Sequence, residues 1–526
     1  MKKYILKHKG LNILLLTIII VVATMQTSAS LLIIPLTSAL KSGESLKFFK
    51  LIVVLGLLYL IWIIANFFKI ILQAKITQIQ INDIRNDILV NISNMDYQEF
   101  HSRKAEDYVS WITNDMNMIE TEVFDNYYII IECIIEIILT LFAFAQLNLI
   151  VLSSVFVLGT IMAIVPNIYN KKMKKAVSKI SEENEEFTFI SSNYLTGFDL
   201  LFHNGRTLVI ITRIRKVYQK LKKAKINQSK VQASMMASVL SLNVFAQLTT
   251  LSFTGYYIIQ GSLALGAFMT VSNLSSTFYN NIQSMISAYS RAKANGNILD
   301  KYPVVERDDL GISKDFDNLI SSKNLTYKYN DKSTITYPSF TFSKGKKYAL
   351  IGSSGSGKST LFKLLIGDLR KYQGDLNFDN DSYSELNVSS LHNNISIVDQ
   401  SSHIFSDTVR NNLTLGLEFT DQEIREATNK AQITDYIESL ENGYETILKD
   451  TGDLSGGQAQ RLSLARALLF NRNIFLIDEG TSSLDKENAR KVEDTILKMK
   501  DKTVIMITHH LREESKKDFD EVIELS

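Results

Sequence analysis

Between Leu11 and Leu40 the chain is almost uninterruptedly apolar, longer than the roughly 20 residues that carry a helix across a bilayer core. In lipid every backbone N–H and C=O must find its partner within the chain, so runs of this kind restrict what surrounds them to membrane helices. Further apolar stretches lie at about residues 48–72, 127–147, 149–169, 235–260 and 263–288, which makes six expected spans. A cleaved signal peptide is the rival reading of the first, because Ser28, Ala29 and Ser30 follow its apolar start. Against it, the run exceeds the usual roughly 7–15 apolar residues and continues past those small residues.

Orientation follows from Lys and Arg, which accumulate on the cytoplasmic side. Lys2, Lys3, Lys7 and Lys9, the segments Lys171–Lys175 and Arg213–Lys225, and the run beyond Arg291 all fall on one side. The connections Ala145–Asn148 and Gln260–Gly266 on the other side are short and uncharged, although the first outer loop carries Lys41, Lys47 and Lys50. Between the second and third spans, and between the fourth and fifth, polar stretches keep apolar residues at helical spacing and read as cytoplasmic helix extensions. Each must turn round near its middle, at Met95–His101 and at Asn193–Phe202, and these patches are placed to carry force between domains. A net charge of +2 gives no field that favours nucleic acid. A single cysteine, Cys133, excludes an intramolecular disulfide and a Cys-rich zinc site.

Inside the third span Glu132 and Glu136 are four residues apart and share a helix face. A carboxylate at membrane depth is costly and marks function by default. Either the two face a translocation cavity and favour cationic or amide-rich cargo, or they are protonated, paired with a basic or amide side chain, or close to the interface.

The second half is organised around Tyr348–Leu361, an apolar strand that runs into the loop Gly352-Ser353-Ser354-Gly355-Ser356-Gly357-Lys358-Ser359-Thr360 and then into an apolar helix. Glycines let this backbone turn tightly, so successive N–H groups and the helix N-terminus converge on a polyphosphate. In that setting Lys358 reaches the β- and γ-phosphates and the Ser359 hydroxyl reaches Mg²⁺. The stretch 303–316, with Pro303 and Asp308-Asp309, reads as a linker.

Downstream come Asp407–Gly416, then Leu454-Ser455-Gly456-Gly457-Gln458, which opens an apolar-periodic helix containing Arg461 and Arg466. Leu454–Gln458 is identical to the signature motif of ATP-binding-cassette proteins. With six preceding spans the chain resembles a half-transporter of the ABC exporter family over essentially its whole length. The fold so implied is an α-helical six-span membrane domain (1–302), the linker, and an α/β P-loop ATPase domain with a helical subdomain (317–526).

The resemblance implies roles residue by residue. Tyr329 stacks on adenine, with Tyr327 as the core alternate. Ser455 and the Gly456 and Gly457 amides, with Gln458, face the ATP held by the opposite subunit. Asp478, at the end of the strand Ile474–Ile477, holds Mg²⁺ through its shell, and Glu479 is the general base that polarises the attacking water. Gln400 senses Mg²⁺ and contacts the membrane domain, Ser482–Asp485 crosses the dimer, and His509 touches the γ-phosphate. Lys449–Asp453 departs from the pattern by lacking a Gly-Glu pair, and no leader-peptide cleavage is expected, because no cysteine-protease segment precedes the first span.

The expectation is therefore an ATP- and Mg²⁺-dependent exporter in the plasma membrane of a bacterial-type cell, with its ATPase domain cytoplasmic and a second half-transporter, identical or different, as partner. Peptides, lipids and amphipathic drugs all suit such cavities. Peptides are favoured by the intraspan polar groups Gln26, Glu132, Glu136, Asn243 and Gln247, which equally suit helix-to-helix hydrogen bonds. Exporter-fold import and a regulatory or immunity role remain alternatives, whereas a soluble ATPase acting on DNA or ribosomes fails on the first half.

Overall fold

The computed structural model describes residues 2–303, 305, 311–330, 333–399, 402–449, 451–478, 486–508 and 515–525. It divides into two compact units, one of residues 1–91 with 104–304 and the other of 92–103 with 305–526.

Long helices make up the first unit. Among the described residues five are long and apolar enough to cross a membrane: Lys9–Lys41, Ser45–Asn94, Ala105–Leu147, Leu149–Thr196 and Leu208–Ile259. The sixth expected span is the helix Ala267–Asn295, whose apolar positions alternate with Ser, Thr, Asn and Gln and lower its hydropathy. It is nonetheless built into the bundle, because Val271, Leu274, Phe278, Tyr279 and Ile282 are buried against Phe144, Val155, Met162 and Ala246 of the neighbouring helices. Gly159 allows its close approach, since a Cβ there would stand 2.7 Å from the Phe278 ring. Thr270 Oγ1 donates to the Ser30 carbonyl at 2.9 Å, and Thr250 and Tyr279 hydroxyls lie 3.1 Å apart. Outward-facing side chains such as Leu57, Ile61, Ile64 and Phe68 are exposed, which suits contact with lipid.

Capping residues set where these helices stop. Asn148 is extended and accepts from the N–H groups of Ile150 and Val151 at 2.8 and 3.2 Å, closing the third span and opening the fourth within one residue. Asp96 stands at the turn of the first excursion and caps the short helix Tyr97–His101, accepting from Glu99 N at 2.6 Å. The second excursion turns at Gly197 into the short helix Phe198–His203. Both expected turning points are present as short helices, and the first belongs to the second unit.

A parallel sheet in the order Glu521–Leu525, Lys347–Gly352, Thr503–Ile507, Ile474–Asp478, Ile395–Val398 forms the centre of the second unit. Its other four strands are nearly continuous apolar runs, as expected of strands covered on both faces, whereas the edge strand Glu521–Leu525 exposes Glu521 and Glu524. An antiparallel sheet is built on Leu319–Asn330, which pairs with Ser333–Thr336, Phe340–Ser343 and Tyr372–Phe378. One core, including Phe316, Phe342, Leu361 and Ile505, joins the two sheets; a second, including Leu413, Ile424, Leu462 and Phe475, holds the helical part. The end of the stretch read as a linker is part of the first core: Phe316 is buried and its N–H donates to Asn394 Oδ1 at 3.0 Å.

Candidate functional site

The strand Lys347–Gly352 delivers the glycine-rich loop, and the helix Lys358–Ile366 leaves it. Gly357 is the helix N-cap, in the left-handed region at φ 92°, and a Cβ there would stand 2.7 Å from Ile335. Only glycine satisfies both the backbone and that contact. Its carbonyl accepts from Tyr337 Oη at 3.0 Å, a bond that pins the loop to the antiparallel sheet. No motif signals Tyr337; only its aromatic character before Pro338 marks it.

Lys358 is buried, and its Nζ donates to the carbonyls of Gly352 and Ser353 at 2.8 and 2.9 Å, so the ammonium is held across the mouth of the loop. Ser356 Oγ is buried and has no hydrogen-bond partner among the described residues. A buried hydroxyl of that kind is costly, and a phosphate oxygen would satisfy it. Ser359 Oγ donates to Asp478 Oδ2 at 3.0 Å, bringing a hydroxyl and a carboxylate together from two elements far apart in sequence. Among the described residues no group of three or more His, Cys, Asp or Glu side chains is gathered that would hold a metal alone. A hydroxyl and a carboxylate beside a phosphate cradle are oxygen donors of the kind that would suit Mg²⁺ bound together with a nucleotide.

Of the two tyrosines, Tyr327 is buried in the core and Tyr329 is 51% exposed, with its hydroxyl 3.0 Å from Thr360 Oγ1. Tyr329 therefore has the free ring face beside the loop. Ser455 caps the 15-residue helix Gly456–Phe470, and its Oγ and Gln458 form a reciprocal capping box. Ser455 and Gly456 are exposed. Among the described residues no hydrogen bond joins Ser455–Gln458 to the loop; this helix end packs with the second core, and the loop with the first. Gln400, Glu479, Asp485 and His509 lie outside the described residues. Their described neighbours Asp399, Asp478 and Thr508 sit at or just past the carboxyl ends of parallel strands, the edge where such a sheet carries its chemistry.

Asp368 just follows the helix Lys358–Ile366 and, within the second unit, senses His101 of the short helix Tyr97–His101. Lys363 Nζ lies 5.7 Å from the centre of the Tyr97 ring in the same cluster. Burial pushes the Asp368 carboxyl up from its ordinary 3.8 to about 6, helped by Asp399 and opposed by Lys363 and His101. Because the folded value is the higher one, its stabilising contribution is full below pH 3.8 and lost as pH rises through about 6. Asp368→Asn is expected to match the parent at pH 4 and to exceed it at pH 7 by about 1 kcal/mol, after allowance for the group's partial solvation. Thermal unfolding at the two pH values checks this.

In the first unit the two carboxylates part company. Glu132 pairs with Lys69, whose side chain is 10% exposed. Glu136 accepts from the Asn281 amide and lines a cavity of about 510 Å³. Lys69 escaped the reading of the sequence, although it is the one charged residue between Leu51 and Leu72 and so carried a signal. Asn281, Tyr59 and Trp62 carried none.

A bundle of membrane helices joined to a doubly wound unit with a polyphosphate loop defines a polytopic membrane protein that binds nucleotide. The profile described as ABC transporter transmembrane region matches residues 11–282, and that described as ABC transporter matches residues 335–482. The chain belongs to the ABC transporter family, as a multi-pass half-transporter of the exporter type, and membership implies ATP hydrolysis coupled to transport. It is 30% identical to the ATP-dependent lipid A-core flippase of Pasteurella multocida over 68% of its own length, and spans 63% of that protein. It is 27% identical to the flippase of the same description from Syntrophus aciditrophicus, over 90% of this chain and 80% of the relative. Among solved structures, a bacterial Atm1-family ABC exporter with ATP bound superposes with a TM-score of 0.85 at 18% identity, covering 99% of this chain and 94% of that one. That last likeness concerns the fold.

Proposed function

We propose that the chain is one half of an ATP-driven exporter that moves an amphipathic molecule from the cytoplasmic side of a bacterial membrane. The observation that carries this is the presence, in one chain, of a loop with a buried lysine and a buried unpartnered serine hydroxyl, and of a polar cavity among membrane helices. Lys358 and the loop N–H groups hold the β- and γ-phosphates, Tyr329 offers its ring to adenine, and Ser359 and Asp478 hold Mg²⁺, which supplies charge neutralisation on the phosphates. Glu479 orients the attacking water, with Gln400 and His509 at the γ-phosphate.

Ser455, Gly456, Gly457 and Gln458 form a second anion-binding helix end that the chain's own loop leaves unused, which favours a partner half, with Asp485 at the contact. A nucleotide held by both halves binds the closed pair better than the open one, and that difference in affinity is what can shift the membrane helices. The short helices Tyr97–His101 and Phe198–His203, at the turns of the two excursions, are the proposed transmitters of that shift. The names of the relatives favour a lipid as cargo, whereas the amide-rich cavity suits a peptide equally well.

Inside-out membrane vesicles test the reading. Severalfold accumulation of a fluorescent amphipathic probe with ATP, and none with a non-hydrolysable analogue, is the expected result; accumulation in right-side-out vesicles instead would establish import.

A further inference from the structure

The cavity among the membrane helices has a chemistry of its own. Four helices contribute to it, through Gln26, Tyr59 and Trp62, Glu136, and Asn280 and Asn281 among others. At 1.5 Å per residue, Gln26 lies roughly 25 Å along its 33-residue helix, close to the middle, so the cavity is at depth and not at the membrane surface. Polar side chains at that depth are retained where they pair with one another or line a cavity. Its volume is within the range that takes a lipid headgroup or a few residues of peptide.

Charge separates this site from a merely polar one. Of the two carboxylates on the third span, Glu132 is neutralised by Lys69, and among the described residues it does not line the cavity. Glu136 does line it, forms no ion pair among the described residues, and is met by a neutral amide. No Lys, Arg or His is among the lining residues. An anionic group entering here would meet a carboxylate and no cation among the lining residues, the Lys69 ammonium, whose field reaches Glu136, being paired with Glu132; a cationic group would meet its counter-charge. Trp62 and Tyr59 add aromatic rings, whose faces attract cations. Trp62 Nε1 is also buried with no hydrogen-bond partner among the described residues, so the wall still has a donor to satisfy.

We propose that this cavity is a cargo subsite for an amine cation, with Glu136 as its counter-charge, Tyr59 and Trp62 as its aromatic wall, and the Asn and Gln amides as partners for the polar atoms around the amine. This deepens the exporter reading and rests on it for the word cargo, though not for binding. The ammonium group is the shared chemistry of two sources, a basic peptide side chain and an amphiphilic amine.

The sequence holds two tryptophans, so Trp111→Phe leaves Trp62 as the sole reporter in the full chain. In nanodiscs of zwitterionic lipid, Trp62 emission is titrated with a blocked pentapeptide of four leucines around one lysine, and with its side-chain-acetylated form. A second arm uses dodecylamine against N-acetyldodecylamine. The charged member of at least one pair is expected to bind about tenfold more tightly than its acetylated partner. Glu136→Gln is expected to abolish that preference and Glu136→Asp to retain part of it, which separates charge recognition from a folding defect. Equal binding of charged and acetylated forms in both arms, or an undiminished preference in Glu136→Gln, overturns the proposal. ATP hydrolysis is followed in the same samples. Hydrolysis without cation preference removes the subsite and leaves the exporter; preference without hydrolysis does the reverse.

Discussion

Lys358→Ala is expected to lower ATP hydrolysis by the purified chain at least about a hundredfold, the loss typical when one preorganised electrophile is removed from a site of developing charge. The ammonium is buried and held by two loop carbonyls, so its position is fixed before any phosphate arrives, and no other Lys or Arg hydrogen-bonds those carbonyls among the described residues. Fold is expected to survive, because the helix that follows is anchored by Leu361, Phe362, Leu364 and Leu365 in the core and not by the lysine. The loss therefore belongs to phosphate binding. Glu479→Gln provides the contrast: if Glu479 acts on water and Lys358 on phosphate, as proposed, it is expected to stop turnover and to leave nucleotide binding intact. Phosphate release and binding of a fluorescent ATP analogue, measured side by side on both variants, separate the two. Activity of Lys358→Ala within a few-fold of the parent would mean that the γ-phosphate charge is met elsewhere.

What was legible in the sequence was local. The glycine-rich loop, the Ser455 cap and the strand ending in Asp478 are each encoded within a dozen residues, where spacing alone fixes the geometry, and each is found in that setting. The apolar runs were equally plain, because hydropathy is additive along a helix. The helix Ala267–Asn295 shows the limit of that additivity: its polar residues belong to a cavity wall and to pairings such as Asn243 Nδ2 with Asn280 Oδ1 at 3.1 Å, and composition cannot distinguish these from solvent exposure. Contacts between distant elements stayed hidden. Tyr337 reaching Gly357, Phe316 entering the core from a supposed linker, and the opposite fates of Glu132 and Glu136 all depend on which helix or strand lies alongside.

The Lys69–Glu132 pair is the most consequential of those distant contacts, for it joins residues 63 apart and both partners are largely buried. Lys69→Met is expected to lower the thermal midpoint of the protein in detergent or nanodiscs by roughly 5 °C, because it leaves a carboxylate at depth without its counter-charge, a loss that costs about 3 kcal/mol or more. The methionine fills much the same volume as the lysine stem, so packing alone does not account for such a drop. Glu132→Gln is expected to be milder, since the ammonium keeps an amide oxygen as acceptor. The double replacement Lys69→Met with Glu132→Leu decides the cause. If the single variant fails through an orphaned charge, removing the second charge restores most of the midpoint, because an apolar pair of similar volume avoids the desolvation cost of both ions. If the helices are held together by the pair itself, the double variant remains as unstable as Lys69→Met. The first outcome is expected: Leu72, Ile76 and Tyr128 already pack against one another on the cytoplasmic side of the pair, and they hold the second span to the third without it.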